Sequence, residues 1–540
     1  MLKILTIFYS YNKYINTYIK YRMMESWLNN INFSNDINYL EDSYFYKRIN
    51  EYLNLYKYNN ADNEQLWKSL ESYNREGMPI NNVAKTMESF INQSGYPIVM
   101  MIENQKDYIL NLNQEQYSAN RLELLENNES MEDTKWVIPY SYNVYSNNTG
   151  KPELIESKYI ILEDEINISL PSDKEDAYSK IFVKGNVGQK GYYSVQYDDE
   201  SLRIACEWLK SDLEFMSFID RAGFLHDMLD QLFNGRIGNP EIILNCLDFL
   251  KKEKSINVWS IAISYLYTLI EKLNSANSNE HVNNFVISII ENILKDIDWV
   301  EKESQIIEKF TIKDNTIHNR SIIRGTLLNL ACSVREENTI NQALYYFNKI
   351  KNGTLTENFD DEIMFIIYSN GIRYGDEENF NFILEEFKNE TSDDRKEMLS
   401  EILTYVSNSS LQKKLFKFAI SDFNKDLNIE NIFESVILIH GSYAQETCFE
   451  FIKENWNTYF KENYLLEKLD FSRIIELVTL NIKNEEFLEK INFWLNTINK
   501  DLPIDFKISI ENDNESDIID YWTINENLGV FTANWIKENY

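Results

Sequence analysis

The sequence is poor in the residues that punctuate chains and hold metals. Its 540 residues include 15 Gly, 7 Pro, 4 Cys and 4 His. So little Gly and Pro excludes a mainly β or loop-rich architecture, because these two residues mark most strand ends and tight turns. Positive charge is also scarce: 53 Lys and Arg stand against 86 Asp and Glu, a formal net charge of −33. A surface this negative repels phosphate backbones, so neither nucleic acid nor an anionic membrane is expected as a partner. Cys206, Cys246, Cys332 and Cys448 lie 40 or more residues apart, and no CxxC pair exists. Neither a zinc knuckle nor a disulfide scaffold is indicated, and free core thiols in a reducing compartment are the expectation. The apolar start, Met1 to Tyr9, is too short to span a bilayer and lacks a small-residue cleavage site. No other run approaches 18 apolar residues. The chain reads as soluble, unsecreted and cytoplasmic.

The histidines exclude one common chemistry. A helical zinc peptidase site needs two His at i and i+4 on one face, with a Glu between them as general base. His226, His281, His318 and His440 are the only histidines, none is followed by Glu, and the nearest two are 37 residues apart. Each reads as a surface or packed polar residue, and no metal ligand or bound cofactor is assigned. The phosphate-cradling and nucleophile-elbow glycine motifs are also missing. Asp360-Asp361-Glu362 and Gly375-Asp376-Glu377-Glu378 read as first turns of helices, where carboxylates meet the positive end of the helix dipole.

What is there is apolar material in three grammars. Apolar residues make up 44% and aromatics 14%, enough for packed cores in a chain too long for a single one. Residues 1–93 read as helical, with 3.6-residue spacing from Tyr44 to Leu55 and from Asn63 to Leu70. A break at Met78–Asn82 follows, then a helix from Val83 to Ile91. Between 94 and 198 the period falls to two. Ile98–Ile102, Tyr108–Leu112, Trp136–Tyr145, Lys158–Leu162 and Ile166–Leu170 read as short strands. Ile181–Val187 and Tyr192–Tyr197, joined through Gly188 and Gly191, read as a terminal pair. Six or seven strands in about 100 residues suggest a small β-sandwich.

From 199 to 540 the helical period returns. Ile242, Ile243, Cys246, Leu247 and Leu250 form one stripe; Trp259, Ala262, Ile263, Leu266, Ile270 and Leu273 form the next; Phe285, Ile289, Ile290, Ile293 and Leu294 form a third. Serial helices of this kind stack as an irregular solenoid, and the stripes read as core.

Several strings, in order, resemble the C-terminal half of the zinc aminopeptidases typified by aminopeptidase N, puromycin-sensitive aminopeptidase and the endoplasmic-reticulum aminopeptidases. Asn59-Asn60-Ala61-Asp62 with Leu66-Trp67 is one. Met87-Glu88-Ser89-Phe90-Ile91-Asn92-Gln93-Ser94-Gly95-Tyr96-Pro97 is another, with Phe90 in place of the family's Trp. Trp136-Val137-Ile138-Pro139 resembles a family strand. Gln189-Lys190-Gly191-Tyr192-Tyr193-Ser194-Val195-Gln196-Tyr197-Asp198 is similar to the family's "Gln-x-Gly-Tyr-Tyr-Arg-Val-Asn-Tyr-Asp". Asp220-Arg221-Ala222-Gly223-Phe224-Leu225-His226-Asp227 is similar to its "Asp-Arg-Ala-x-Leu-x-x-Asp". Phe449-Glu450-Phe451-Ile452-Lys453-Glu454-Asn455-Trp456 resembles a late helix.

The resemblance implies a mainly α chain: the helical end of a thermolysin-like catalytic domain (1–93), a small β-sandwich (94–198) and a large HEAT-like α-solenoid bowl (199–540). It implies a role in removing N-terminal residues from peptides by a zinc-bound water, with the zinc motif supplied elsewhere. Tyr18, in Tyr18-Ile19-Lys20-Tyr21-Arg22, has the spacing of the family tyrosine whose hydroxyl stabilises the oxyanion, with Tyr21 and Arg22 replacing its Gly-Ala. Tyr18 is therefore the one catalytic candidate. Trp27 and Leu28 are candidates for an apolar face left bare where a catalytic half would sit. The expected partners are peptides and a separate zinc-bearing chain. The alternative is a stand-alone pseudoenzyme, a helical scaffold that holds peptide or protein.

Overall fold

In the computed structural model of the chain, the described residues are 44–71, 83–117, 134–147, 150–171, 180–236, 239–274, 279–300, 317–421, 427–461, 471–479, 485–498 and 526–539. Tyr18, Trp27, Leu28 and the break at Met78–Asn82 lie outside them. The elements fall into two compact units. One holds everything from the first described helix to Leu294, together with the last helix; the other holds the helices from Ile317 to Ile498.

The first unit opens with α1 (Tyr44–Leu55), α2 (Asn63–Glu71) and α3 (Val83–Ile91). Trp67, Leu70, Val83 and Met87 form their small core. Helix α3 is anchored to the β region that follows. Ser89 Oγ accepts from Val137 N at 3.1 Å, Gln93 Nε2 donates to the Lys135 carbonyl at 3.0 Å, and Lys85 pairs with Glu163 at 2.6 Å.

Seven strands follow: β1 (Pro97–Asn104), β2 (Ile109–Gln116), β3 (Ile138–Ser146), β4 (Glu153–Leu162), β5 (Ile166–Ser169), β6 (Ile181–Gly185) and β7 (Ser194–Tyr197). They form two sheets, ordered β5-β2-β1-β7 and β4-β3-β6. The alternation of β3 sets its faces: Trp136, Ile138, Tyr140, Tyr142 and Val144 are wholly buried, while Pro139 and Ser141 are half-buried. The two sheets meet where the Tyr140 hydroxyl reaches the Met101 sulfur at 3.3 Å.

One sequence expectation is corrected here. Strands β6 and β7 do not pair with each other: β6 is antiparallel to β3 in one sheet, and β7 is parallel to β1 in the other. The cause is the turn between them. Asn186, Gly188 and Gln189 all take positive φ (54°, 69° and 52°), and this left-handed run carries the chain across to the opposite sheet. The Asn186 side chain holds it, accepting from Gly191 N at 2.8 Å and donating to the Tyr193 carbonyl at 2.9 Å.

The chain then runs through α4 (Asp199–Ser211), α5 (Phe218–Phe233), α6 (Pro240–Cys246), a 3-10 segment (Leu247–Lys252), α7 (Ile256–Asn274) and α8 (Asn279–Leu294). The three expected stripes are buried, except that Leu294 is only half-buried. A second correction concerns the thiols. Cys206 in α4 and Cys246 at the end of α6 form a disulfide with Cα atoms 4.9 Å apart, because those helices pack side by side. Cys332 and Cys448 are free and buried, as expected.

The second unit runs α9 (Ile317–Ser333), α10 (Glu337–Lys351), α11 (Asp361–Arg373), α12 (Glu377–Asn389), α13 (Asp393–Leu403), α14 (Ser409–Ser421), α15 (Ile429–His440), α16 (Ser442–Asn455), a π-helical turn (Trp456–Lys461), α17 (Phe471–Thr479) and α18 (Glu485–Ile498). Each packs on helices one or two places along the chain, the signature of serial stacking. The acidic runs cap helices: Asp360 accepts from Ile363 N at 2.9 Å and Asp376 from Asn379 N at 3.1 Å. Helix α19 (Glu526–Asn539) breaks the serial rule by returning to pack on α6, α7 and α8. No strand follows β7 among the described residues, and no described helix is long and apolar enough to cross a membrane.

Packing of this second unit is tight enough to test at one glycine. A Cβ at Gly371 in α11 would stand 2.3 Å from the ring of Phe347 in α10. That ring is wholly buried, with Tyr368 and Phe382 edge-on at 5.8 and 5.9 Å. Gly371→Ala gains about 1 kcal/mol of helix propensity, but overpacking costs about 1–3 kcal/mol. A net loss is expected, seen as a lower urea midpoint with unchanged slope in the transition of this unit.

Candidate functional site

Two of the strings that resemble the peptidase family, Gln189–Asp198 and Asp220–Asp227, meet at the seam between β7 and α5. Asp220, Asp227 and Gln231 are spaced 7 and 4 residues apart, which puts them on one face of α5. All three are buried and turned to the β region. Asp220 accepts from Gly188 N at 2.7 Å and from Ser217 Oγ at 2.7 Å. Asp227 accepts from Ser194 Oγ at 2.7 Å and from Val195 N at 3.3 Å, and Gln231 Nε2 donates to the Val195 carbonyl at 2.8 Å. Gly223 sits where a Cβ would come within 1.7 Å of the Gln189 side chain, so the glycine lets helix and turn close together.

Arg221 points the other way, into a buried pair. Its Nε and Nη2 meet the two carboxylate oxygens of Glu253 at 2.7 and 3.1 Å, and its Nη1 donates to the carbonyls of Leu213 and Met216. Glu253 also accepts from the backbone amides of Lys254 and Ser255.

Two more buried ionisable groups lie nearby. Lys184, wholly buried on β6, lies 3.9 Å from Asp220, and burial lowers its pKa against the pull of Asp220 and Asp227. Burial pushes the Glu103 carboxyl up to about 8, although it accepts from Val183 N at 2.9 Å and from Gln105. Sequence reasoning missed both. Lys184 was the findable one, because a lysine inside the apolar run Ile181–Val187 needs a buried partner.

None of this is catalytic geometry. Each donor in the seam answers an acceptor in a neighbouring element, which is how buried polar groups hold a junction. Two of the histidines, His226 and His440, have structural settings. His226 is half exposed, its Nδ1 3.8 Å from Asp227 and its ring 5.9 Å from Tyr265. His440 reaches the Thr404 carbonyl at 3.0 Å, and burial lowers its pKa to about 4. Among the described residues no group of three or more His, Cys, Asp or Glu could hold a metal ion. The described donor set therefore does not fit a catalytic zinc. Tyr18, the sequence candidate for an oxyanion hydroxyl, lies outside the described residues.

Beside the seam a second cluster reaches the surface. Tyr96 stacks on Tyr117 at 4.7 Å and lies 5.3 Å from Tyr192, while Phe233 stacks on Tyr265 at 5.8 Å. Asp230 stands among them. Its Oδ1 accepts from the Tyr117 hydroxyl at 3.3 Å, and Asn234 donates to that same hydroxyl. Burial pushes the Asp230 carboxyl above its usual range, opposed by His226, Tyr117 and Asn234 and assisted by Asp227.

Comparison with known proteins agrees with this layout. A family profile described as the ERAP1-like C-terminal domain matches residues 182–510. The chain is 23% identical over 482 residues to glutamyl aminopeptidase of Sus scrofa, covering 88% of this chain and 45% of that protein. It is 23% identical over 491 residues to endoplasmic reticulum aminopeptidase 2 of Homo sapiens, covering 85% and 47%. It is also 23% identical over 483 residues to the human thyrotropin-releasing hormone-degrading ectoenzyme, covering 85% and 42%. The chain thus spans about half the length of the curated relatives it matches. With the profile covering more than half of the sequence, and the two-sheet β region leading into serial helices, the chain belongs to the ERAP1-like C-terminal domain family.

Proposed function

We propose that the chain is the non-catalytic C-terminal half of a zinc aminopeptidase system, supplying the helical enclosure for peptide while the zinc centre comes from elsewhere. The observation that carries this reading is the extent of the match. It covers 85–88% of the chain at 23% identity and takes in more than the helical series. Helix α3, belonging to the segment that resembles the end of a catalytic domain, keeps specific contacts to the β region through Lys85, Ser89 and Gln93. In this reading Tyr18 would offer its hydroxyl to the oxyanion formed on the peptide carbonyl.

No His pair at i and i+4 exists in the sequence to raise a zinc-bound water. The purified chain is therefore expected to retain well under one zinc per chain after dialysis and to leave aminoacyl-amide reporters uncleaved. Affinity purification from its native cells is expected to bring down a chain bearing a His-Glu-x-x-His motif. About one zinc per chain, or metal-dependent cleavage lost in Tyr18→Phe, would overturn the assignment. Recovery of the chain free of any such partner, but binding peptide, would favour a stand-alone scaffold.

A further inference from the structure

The cluster around Asp230 has features that the seam beside it lacks. Asp227 and Asp230 lie three residues apart on α5, and both are close enough to influence Tyr96 and Tyr265. Asp227 is fully used by Ser194 and Val195, as described above. Asp230 is not. Its Oδ1 takes the Tyr117 hydroxyl, while its Oδ2 is sealed from solvent with no hydrogen-bond donor. A buried acceptor left unpaired costs about 1–3 kcal/mol, more if it is charged.

A counter-charge comes from the rim, where His226 Nδ1 lies 3.8 Å from Asp227, but no permanent cation joins it among the described residues. Arg236 is held by Glu115 at 3.1 Å, and among the described residues neither Asp227 nor Asp230 has a lysine or arginine at ion-pair distance. The walls are aromatic instead. Tyr96, Tyr117, Tyr192 and Tyr265 are each half-buried, so the cluster opens at the surface, with exposed His226 on its rim. Aromatic faces attract a cation within about 6 Å of the ring centre, most strongly where water is excluded.

We propose that this cluster binds an organic cation that carries N–H donors, a primary ammonium or a guanidinium on an unbranched chain. A peptide presents such groups at its amino terminus and on lysine and arginine side chains. The aromatic rings would hold the charge, and an N–H would complete Asp230 Oδ2 once one of the covering rings turns aside. A metal ion is the wrong occupant, because the carboxylates and His226 form no three-donor group. The proposal does not depend on the chain completing a peptidase.

The test is calorimetric titration of the whole chain with n-butylammonium, n-butylguanidinium, tetramethylammonium and neutral n-butanol. The first two are expected to bind saturably below ~20 mM. Tetramethylammonium, a cation with no N–H, is expected to bind about tenfold more weakly, and butanol not measurably. Asp230→Asn keeps an acceptor for Tyr117 and removes the charge; it is expected to weaken butylammonium about tenfold. Tyr192→Leu, which removes a half-buried ring beside Tyr96, is expected to weaken it by a few-fold and serves as the deciding variant if Asp230→Asn does not fold. No saturable binding of either N–H cation would overturn the proposal. So would equal affinity for tetramethylammonium, or wild-type affinity in folded Asp230→Asn, the result expected if Asp230 is simply a protonated core carboxyl. Failure to co-purify a zinc-bearing chain would leave these outcomes untouched.

Discussion

Arg221→Ala is expected to lower the stability of the β-containing unit by about 3–5 kcal/mol, the cost of stranding one partner of a buried ion pair. Glu253 is 3% exposed, and its carboxylate would lose two charge-assisted hydrogen bonds at once. The carbonyls of Leu213 and Met216 would lose their donor as well. Exposed Glu214, 3.7 Å from Arg221, contributes little, since surface pairs are worth about 0–1 kcal/mol. The pair ties the 3-10 turn at Leu213–Phe215, the start of α5 and the entry to α7 into one corner. Amide exchange along Phe218–Phe233 is therefore the sensitive readout, and protection there should fall by more than a hundredfold. Replacing both residues by apolar side chains of similar volume should restore most of the loss, because the penalty lies in the unpaired charge rather than in the absence of the bridge. Unchanged exchange in Arg221→Ala would mean that the corner is held by packing alone.

Removing the Cys206–Cys246 bond is expected to cost about 4 kcal/mol, and the magnitude comes from the loop it closes. The cysteines are 40 residues apart, and the chain-entropy relation for a loop of that size gives about 13 cal/mol/K, or about 4 kcal/mol at 25 °C. Cys206→Ala with Cys246→Ala is the suitable variant, because serine would bury hydroxyls at positions that are 5% and 0% exposed. Its thermal midpoint should fall by roughly 5–10 °C. Native protein should resist reductant until it unfolds, since both sulfurs are enclosed. A bond of this kind persists in oxidising surroundings. Equal midpoints for the variant and the oxidised protein would show that the two sulfurs are not joined.

The sequence by itself determined the element types, and it did so through period. Two-residue alternation from Trp136 to Tyr140 marked the buried face of β3, and the 3.6-residue stripes from Ile242 onward marked the packed faces of the helices. Asp360 and Asp376 were readable as helix starts because capping is a local event, settled within three residues. The family was legible too, since its strings keep their order and spacing along the chain.

Only tertiary structure decided which elements meet. Nothing local assigns β6 and β7 to different sheets; three positive-φ residues within Asn186–Gln189 do so, and two of them are not glycine. Cysteines 40 residues apart carry no sign of pairing until α4 and α6 lie side by side. The return of α19 to α6, α7 and α8 is invisible to periodicity, because a stripe of apolar residues specifies that a face is buried but not against what. The same holds for the seam and for Asp230. Arg221 and Asp227 stood in a recognisable string and Lys184 in a readable apolar run, yet Glu253 and Glu103 entered only through space. A charge on a helix face becomes structural or ligand-binding according to the partner that folding brings within about 3 Å.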